Sequence, residues 1–486
     1  MDARSLAAVR IFLACIVLVD LSTRLADIAV FYGDAGLFPS ELIYTFWTGN
    51  LVWSLHTLWG GPLILLVGLF FAHALAAVAL LVGYKTRLAT IITWVLLVSL
   101  HNANPLILQG EDVLLRAVLF VSIFLPLGAA FSIDSLQRRE KITGSILSGW
   151  TIAFLLQDAF LYFFASIYKH SPEWLSGNAI YYSLSIDTYA TPFGRFLLQF
   201  PELLTFLTYS ILIFQSFALF LLFSPYRTPY LRTFAVGSLI FMHSSLALCM
   251  HLGMFSSVAI ATLLGFIPPL VWDSLIIYSK KLIPLEKWSV RVHRLFSSKE
   301  RQADDTRFSR RVAMTVSLLG IFYITYIFVW QSMNVLNPGQ YVPFNYGFEM
   351  PAKVLRIDQR WNLFAPNPNR NDGWLVAVAT LNNGEQVDLF RGGTPVSFSK
   401  PEKVFSIYPS PRWRRYVLHL RSQENARYRP YYAQYLCNSW DQQHDIAMRA
   451  DNIELIYMLE WTPAPGSPSP TPRPVSLLKQ ECLAGE

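Results

Sequence analysis

Lys169 is the position in this chain whose residue type and surroundings point most directly to chemistry. It ends an aromatic-rich apolar run, 160–168, and is followed by His170, by a helix start at Pro172 and by Trp174. A lysine that is desolvated in a pocket has a lowered pKa and becomes a usable base or nucleophile at neutral pH. A lysine at the end of a membrane span also commonly extends its ammonium group to the lipid headgroups. The sequence leaves both interpretations open.

Three of the histidines that lie within apolar segments or at their ends are candidates for chemistry. His243 is in the middle of one segment, His251 begins the turn that contains Met254, and His101 ends an earlier segment. A single histidine on an apolar helix is usually a hydrogen-bonded core residue, whereas several near one end of a helix bundle also suit acid–base chemistry. Their spacing is longer than in metal sites and matches no zinc or haem motif, so no metal is predicted.

Two pairs of opposite charge are spaced four residues apart in apolar segments, Asp20 with Arg24 and Asp112 with Arg116. Charged residues in a membrane are costly and mark structural or functional sites, and this spacing places both members of a pair on one helix face. The first pair is interpreted as an ion pair that locks helices together. The second, which follows Asn102 at the outer side, is open to two interpretations, a structural lock or a binding site.

The composition is that of a membrane protein. Of the 486 residues, 53% are hydrophobic and 15% are charged, and the mean hydropathy is +0.37, whereas a soluble domain carries about 25% charged residues. A spanning helix needs roughly 20 mainly apolar residues. About nine segments are predicted to be transmembrane helices, namely 6–30, 62–83, 86–101, 113–131, 148–168, 200–223, 233–251, 253–278 and 312–332.

The basic residues that flank these segments fall on alternate connections. They are Lys85 and Arg87, then Arg138, Arg139 and Lys141, then Arg227 and Arg232, and finally the stretch from Lys280 to Arg311. Cytoplasmic loops retain Lys and Arg, whereas translocated loops lose them. The alternation therefore predicts an integral protein of the plasma (inner) membrane, with a cytoplasmic N-terminus and an extracytoplasmic C-terminal domain. It also places Lys169 and His101 on the outer side.

The formal net charge of +7 is explained by this orientation and by the attraction of the basic connections to anionic headgroups. Membrane lipids are therefore expected partners. Nucleic acid is not, since no basic and aromatic binding module accompanies the charge. The first apolar segment contains Arg10, Asp20 and Arg24 and is longer than a signal-peptide core, so it is interpreted as a retained helix.

The residues after the ninth segment have a different character. Two β-rich runs, 374–381 and 385–390, flank an Asn-Asn-Gly turn, which predicts a hairpin. Residues 453–461 predict a further strand, and residues 431–440 predict a helix. The predicted fold class is thus an all-α polytopic membrane domain followed by a small α+β extracytoplasmic domain.

The predicted domain boundaries follow from these elements. They are a membrane domain 1–278, a basic cytoplasmic connection 279–311, a last transmembrane helix 312–332, an α+β domain 333–462 and a Pro-rich tail 463–486. Within the tail, the Pro- and Ser-rich stretch 463–474 is predicted to be extended or disordered. Cys437 and Cys482 both lie on the predicted outer side, where an oxidising compartment allows a disulfide. The sequence does not show whether their geometry permits one.

Three segments resemble a known family. Residues 162–174, Tyr-Phe-Phe-Ala-Ser-Ile-Tyr-Lys-His-Ser-Pro-Glu-Trp, look like the segment around the active-site lysine of the vitamin K-dependent gamma-glutamyl carboxylases. Residues 242–256, which contain His243, are similar to a second helix and turn of those enzymes. Within a third segment, residues 101–105, 110–116 and 124–128 resemble the bacterial members, the horizontally transferred transmembrane (HTTM) family. A weaker similarity covers 359–368 and the predicted hairpin.

The resemblance implies a carboxylase-like membrane enzyme, a lyase. Lys169 would match the base that deprotonates reduced vitamin K or another membrane quinol, and His243 would match a histidine of the same pocket. Oxygen and carbon dioxide would be co-substrates, and a glutamate of an outer protein or peptide would be carboxylated. The implied catalytic residues are Lys169, His243 and His101, and the binding residues are Asn102, Asp112, Arg116, Trp174, His251 and Met254.

A function of another class remains open. The chain could be a non-catalytic membrane scaffold, or a binding protein whose outer domain engages a partner. A transporter is less well supported, because the sequence shows no internal repeat of the kind that many transporters use.

The charge alternation yields a direct test of orientation. We expect an impermeant thiol reagent, applied to intact cells, to label a cysteine placed at Asn383 and to miss one placed at Ser298 until the cells are permeabilised, because only the first is predicted to lie outside. Labelling of Ser298→Cys alone in intact cells would contradict the predicted orientation.

Overall fold

The computed structural model describes residues 1–46, 52–138, 144–282, 310–336 and 346–483. Within these ranges the chain has two parts. Up to residue 336 the elements are helices, and from residue 346 onwards helices and strands are mixed. Most of the basic connection predicted at 279–311, including Ser298, lies outside the described residues, as do Arg139 and Lys141.

The helices of the first part vary widely in length. They are α1 (Ala3–Leu25), α2 (Ile28–Tyr32), α3 (Ser40–Phe46), α4 (Leu63–Val82), α5 (Thr86–Ala103), α6 (Gly110–Ser122), α7 (Ile133–Leu136), α8 (Gly149–Tyr168), α9 (Pro172–Leu175), α10 (Ala179–Leu184), α11 (Pro192–Leu197), α12 (Pro201–Phe223), α13 (Thr228–Cys249), α14 (Phe255–Leu263), α15 (Pro269–Leu282) and α16 (Arg310–Leu336). Pro172 occupies the first turn of α9, as predicted.

Six helices of the described residues, α1, α4, α8, α12, α13 and α16, are long and apolar enough to cross a membrane. A bent pair, Phe255–Phe266 with Pro269–Tyr278 at 100°, raises the number to seven if it forms one span. The predicted count of nine spans is therefore not confirmed. The spans predicted at 86–101 and 113–131 do not qualify: α5 contains Arg87, His101 and Asn102, and α6 has only 13 residues, about 20 Å of helix.

The connections that carry the basic clusters gather at the end of the helices where the chain begins. The Met1 ammonium donates to the Ile146 carbonyl at 2.8 Å, and Arg4 pairs with Asp273 at 2.6 Å. The Asp134 carboxylate accepts hydrogen bonds from the backbone N–H groups of Lys85, just before α5, and of Thr86, its first residue. This end, the N-terminal end below, thus brings together the start of the chain, the connections before α5 and α8, and helix α15, which leads into the basic connection 279–311. The second part of the chain contacts the opposite end.

The second part is built on a five-stranded antiparallel sheet with the strand order β3-β2-β1-β4-β5. Its elements are α17 (Tyr346–Leu355), β1 (Asn371–Leu381), β2 (Gln386–Asp388), β3 (Thr394–Pro395), α18 (Pro411–Arg421), α19 (Arg429–Asp441), β4 (Ala450–Trp461) and β5 (Arg473–Glu481). The predicted hairpin is confirmed by the pairing of β1 with β2, and the predicted strand and helix by β4 and α19.

The tail contains a strand that the sequence pattern did not indicate. Residues 473–481 form β5 along the edge of β4, and only 473 and 474 belong to the stretch 463–474 that is predicted to be extended or disordered. Strand pairing satisfies the backbone groups, and Leu477 and Leu478 pack against the core, which outweighs the low β-propensity of a Pro- and Ser-rich sequence. Cys482, just after β5, forms a disulfide with Cys437 of α19.

Two glycines let α8 and α16 approach closely. A Cβ atom on Gly149 would overlap the carbonyl oxygen of Ser317, and one on Gly320 would lie 2.6 Å from the carbonyl carbon of Gly149. Small residues at crossing points allow helix backbones to touch in membranes. The position of α16, which leads into the second part, therefore depends on these two glycines.

We expect Gly320→Ala to lower stability by about 1–3 kcal/mol, since the added methyl group has no room. The control is Gly237→Ala in α13, where a Cβ atom would meet nothing within 4 Å, and which should be neutral or stabilising because alanine has the higher helix propensity. Thermal unfolding of the purified proteins in detergent measures both. An equal effect of the two substitutions would contradict the close approach.

Candidate active site

Lys169 is buried and turns back onto its own helix. It follows the last residue of α8, its side chain is 7% exposed, and its Nζ donates to the Ala165 carbonyl at 2.9 Å. The Nζ also lies 5.1 Å from the centre of the Trp174 ring. Burial lowers the pKa of this amine to about 7. The side chain is therefore not extended towards lipid headgroups, which removes the second of the two interpretations of the sequence.

The turn after α8 and the second part of the chain enclose this lysine. The helix start at Pro172 places the Trp174 ring beside the Nζ, and the indole Nε1 donates to the Phe364 carbonyl at 2.9 Å. The Arg360 guanidinium lies over the Tyr168 ring, 5.6 Å from its centre. Residues 356–366, the covering segment below, thus lie across the end of α8.

The residues that share a helix face with Lys169 include two polar ones, Asp158 and Tyr162. Asp158, Tyr162, Ala165 and Lys169 are spaced by four, three and four residues, which places them on one face of the helix. The Nζ reaches the level of the Ala165 carbonyl, three residues beyond Tyr162, and is therefore about 5 Å from Tyr162 along the helix axis.

The same face of α8 holds His243. The Tyr162 hydroxyl and the His243 Nε2 are 3.1 Å apart, and Asp158 accepts a hydrogen bond from Thr262 at 2.5 Å. The imidazole is 2% exposed and packs edge-on against Phe255. Its Nδ1 has no hydrogen-bond partner among the described residues. Two of the three predicted catalytic residues, Lys169 and His243, are thus linked to one helix face.

His101 belongs to a different cluster. Its Nε2 lies 3.2 Å from Asp112, which also pairs with Arg24 at 2.6 Å and with Arg412 at 2.5 Å. Asp20 completes the set by pairing with Arg24 and with Arg412, each at 2.8 Å. These five residues, the charge cluster below, are all buried. The predicted pair of Asp20 with Arg24 is confirmed.

The predicted pairing of Asp112 with Arg116 is wrong. Arg116 donates instead to the Arg356 carbonyl at 2.7 Å, because Arg24, Arg412 and His101 already bind the Asp112 carboxylate. Asn102 accepts a hydrogen bond from the Arg356 guanidinium and donates to the Trp53 carbonyl. Asn102 and Arg116 therefore anchor the covering segment.

The turn with His251 and Met254 joins the two parts of the chain. The His251 ring lies 4.3 Å from that of Phe405, and its carbonyl accepts a hydrogen bond from Arg414. Met254 precedes α14. Gly253, between them, has a φ of +65° and leaves no room for a Cβ atom beside the Glu111 carboxyl group.

Glu111 is a second titratable group near this end with a shifted pKa. Burial, and then the neighbouring Asp112 carboxylate, raise its pKa to about 7. A carboxyl group of this kind changes protonation near neutral pH.

Asp20, His101 and Asp112 have ligand atoms within 4.8 Å of one another, a geometry that could hold a metal ion. Arg24 and Arg412 bind these carboxylates directly. Two guanidinium groups thus supply the positive charge that a cation would otherwise provide.

The sequence pattern did not single out three residues that make these contacts, namely Arg412, Arg356 and Tyr162. An acidic residue in an apolar segment needs a positively charged partner, and when no nearby basic residue is available to pair with it, the partner comes from elsewhere in the chain. The run Pro-Arg-Trp-Arg-Arg at 411–415 was the available signal for the first of them. Tyr162 could have been found from its spacing to Asp158 and Lys169 on one helix face.

The HTTM domain family matches residues 1–271 of the chain, a range that includes Lys169, His243, His251 and both acids of the charge cluster. No curated protein and no solved structure matches the chain.

Because the residues of the charge cluster bind one another directly, we expect the effects of their substitutions on stability to be strongly coupled. Arg412→Gln leaves two buried carboxylates with one guanidinium, and we expect a loss of roughly 3–5 kcal/mol. The double variant Arg412→Gln with Asp112→Asn should be more stable than Arg412→Gln alone, because it restores charge balance. Unfolding midpoints in detergent measure the effect, with the exposed Arg473→Gln as the control. Additive losses in the double variant would contradict the coupling.

Proposed function

Because the chain belongs to the HTTM family, whose domain is found in vitamin K-dependent carboxylase and related proteins, we propose that it is a membrane enzyme that uses Lys169 as the base for a reduced quinone. The observation that carries the proposal is the buried amine. Its pKa is lowered to about 7 by burial, so a substantial fraction is neutral at neutral pH. A base with a pKa near the working pH is the most effective one.

The surroundings of Lys169 fit a flat, weakly acidic ligand. The ring of Trp174 lies beside the amine, and the covering segment closes one side through Phe364. One hydrogen bond to Ala165 holds the Nζ in place. A reduced vitamin K or another membrane quinol would supply an acidic hydroxyl group there and, with oxygen, the strong base that carboxylation by carbon dioxide requires.

Residues of this chain would position the amine and stabilise the ammonium group that forms when it accepts the proton. The Ala165 carbonyl fixes the Nζ, which would accept the proton as an ammonium group, and Trp174 would stabilise that cation by its ring face. The Tyr162 hydroxyl and the His243 Nε2, which are hydrogen-bonded to each other, lie about one helical turn away and would line the same side of the quinol.

The orientation of this site is part of the proposal. The basic connections gather at the N-terminal end, which supports a cytoplasmic position for that end. Lys169 and the sheet lie at the other end, and the Cys437–Cys482 disulfide fits an oxidising, extracytoplasmic compartment. The sheet would then present a protein or peptide substrate to the pocket from the outer side of a bacterial inner membrane.

One observation favours the scaffold as the second candidate. The buried contacts of Arg412, Arg356 and Arg414 fix the second part of the chain against the helices. A rigid outer surface of this kind suits a protein that only binds a partner.

Substitution of Lys169 separates the two candidates. Under the enzyme proposal, we expect Lys169→Ala to fold normally and to lose oxygen-dependent consumption of a reduced quinone by at least about a hundredfold, as for the loss of a general base. Small exogenous amines should restore part of it. Lys403→Ala, at an exposed position, is the control. Full turnover in Lys169→Ala, or an inactive wild type with every reduced quinone tested, would contradict the proposal.

The lowered pKa also predicts a pH dependence of stability. Between about pH 7 and 10.5 the unfolded chain binds a proton at Lys169 that the folded chain has released, so the stability contributed by this position rises with pH in that window. Lys169→Met removes this dependence. We therefore expect the variant to exceed the wild type in Tm most at pH 7 and least near pH 10. A constant difference across the window would contradict a buried neutral amine.

A further inference from the structure

An open groove lies between α13 and α15, at the N-terminal end of the helices and away from Lys169. Its volume is about 510 Å³, within the range of roughly 300–1,000 Å³ that ligand pockets occupy. Its walls are almost entirely apolar, with Tyr230 and Phe234 on α13 and Leu270, Leu275 and Tyr278 on α15. An apolar wall of this kind suits a hydrocarbon chain.

The direction of α15 places the groove at a membrane surface. α15 turns by 100° from the preceding apolar helix, so that it runs roughly along the membrane plane if that helix crosses it. Two contacts hold α15 at the N-terminal end, Asp273 with Arg4 at 2.6 Å and Trp272 Nε1 with the Ser5 hydroxyl at 2.8 Å. Tyr230, at 67% exposure, has an aromatic ring and a hydroxyl group, the combination common at the lipid–water interface.

The charge next to the groove is positive. Arg227 lies immediately before α13, one helical turn from Tyr230, and Lys280 and Lys281 occupy the last turn of α15. The acid of α15, Asp273, is already paired with Arg4. The sequence continues with a basic connection: residues 279 to 311 include ten Lys and Arg but only four Asp and Glu. An anionic group at the mouth of the groove is therefore favoured over a neutral one.

We propose that this groove binds an anionic phospholipid of the inner leaflet. One acyl chain lies between α13 and α15, and the phosphate lies beside Arg227. The site would anchor α15 to the membrane surface. It is independent of the reaction at Lys169, which lies at the opposite end of the helices.

The proposal is tested by lipid retention in the purified full chain. The protein is exchanged into detergent with equal amounts of phosphatidylglycerol and phosphatidylcholine, and bound lipid is counted by native mass spectrometry. We expect one phosphatidylglycerol molecule to be retained in preference to phosphatidylcholine. Arg227→Gln should lower this preference by about fivefold, as for one basic residue near an anionic surface.

A second variant separates the groove from general lipid contact. Ser274→Trp fills the groove from α15 and should abolish retention, whereas Leu248→Trp, at a position of α13 that is 64% exposed and outside the groove, should not. Elution as a single symmetric peak in size-exclusion chromatography confirms that both variants fold. Equal retention of the two lipids, retention in Ser274→Trp, release of the lipid by inorganic phosphate, or occupation of the groove by a second copy of the chain would each overturn the proposal.

Discussion

The buried charge cluster is the interaction on which the arrangement of this protein depends. Two carboxylates, Asp20 and Asp112, meet two guanidinium groups, and one of these, Arg412, comes from a helix that lies some 300 residues further along the chain. Buried charges are tolerated only when they are paired and hydrogen-bonded. The helices at this end therefore require the second part of the chain for neutrality, and α18 has a fixed place among them.

The covering segment is likewise held against the helices by polar contacts. Arg356 bonds to Asn102, and its carbonyl accepts from Arg116, while Gln359 bonds to Gln157 of α8. Polar groups that meet in a water-poor interior satisfy one another or pay a large desolvation penalty. These bonds hold the segment over the end of α8, and Trp174 is fixed to it through Phe364. The burial of Lys169, and with it the lowered pKa, thus follows from contacts between the two parts of the chain.

The sequence by itself determined the features that depend on local patterns. Long apolar segments, the alternation of basic connections, the hairpin around the Asn-Asn-Gly turn and the ion pair of Asp20 with Arg24 were all predictable. Each involves residues that are close in sequence, so that helix or strand periodicity decides their geometry. The motif around Lys169 also indicated the family, which the match over residues 1–271 confirms.

Only the tertiary structure decided the features that depend on distant residues. Asp112 has Arg116 one helical turn away, yet it binds Arg412, because two carboxylates and two guanidinium groups satisfy more charge together than one local pair does. Residues 473–481 became a strand because β4 offered an unpaired edge. The residues next to Lys169 in the sequence allow its side chain either to extend to the headgroups or to be buried. The covering segment favours burial, because its Phe364 carbonyl binds Trp174 and so holds that ring beside the Lys169 Nζ.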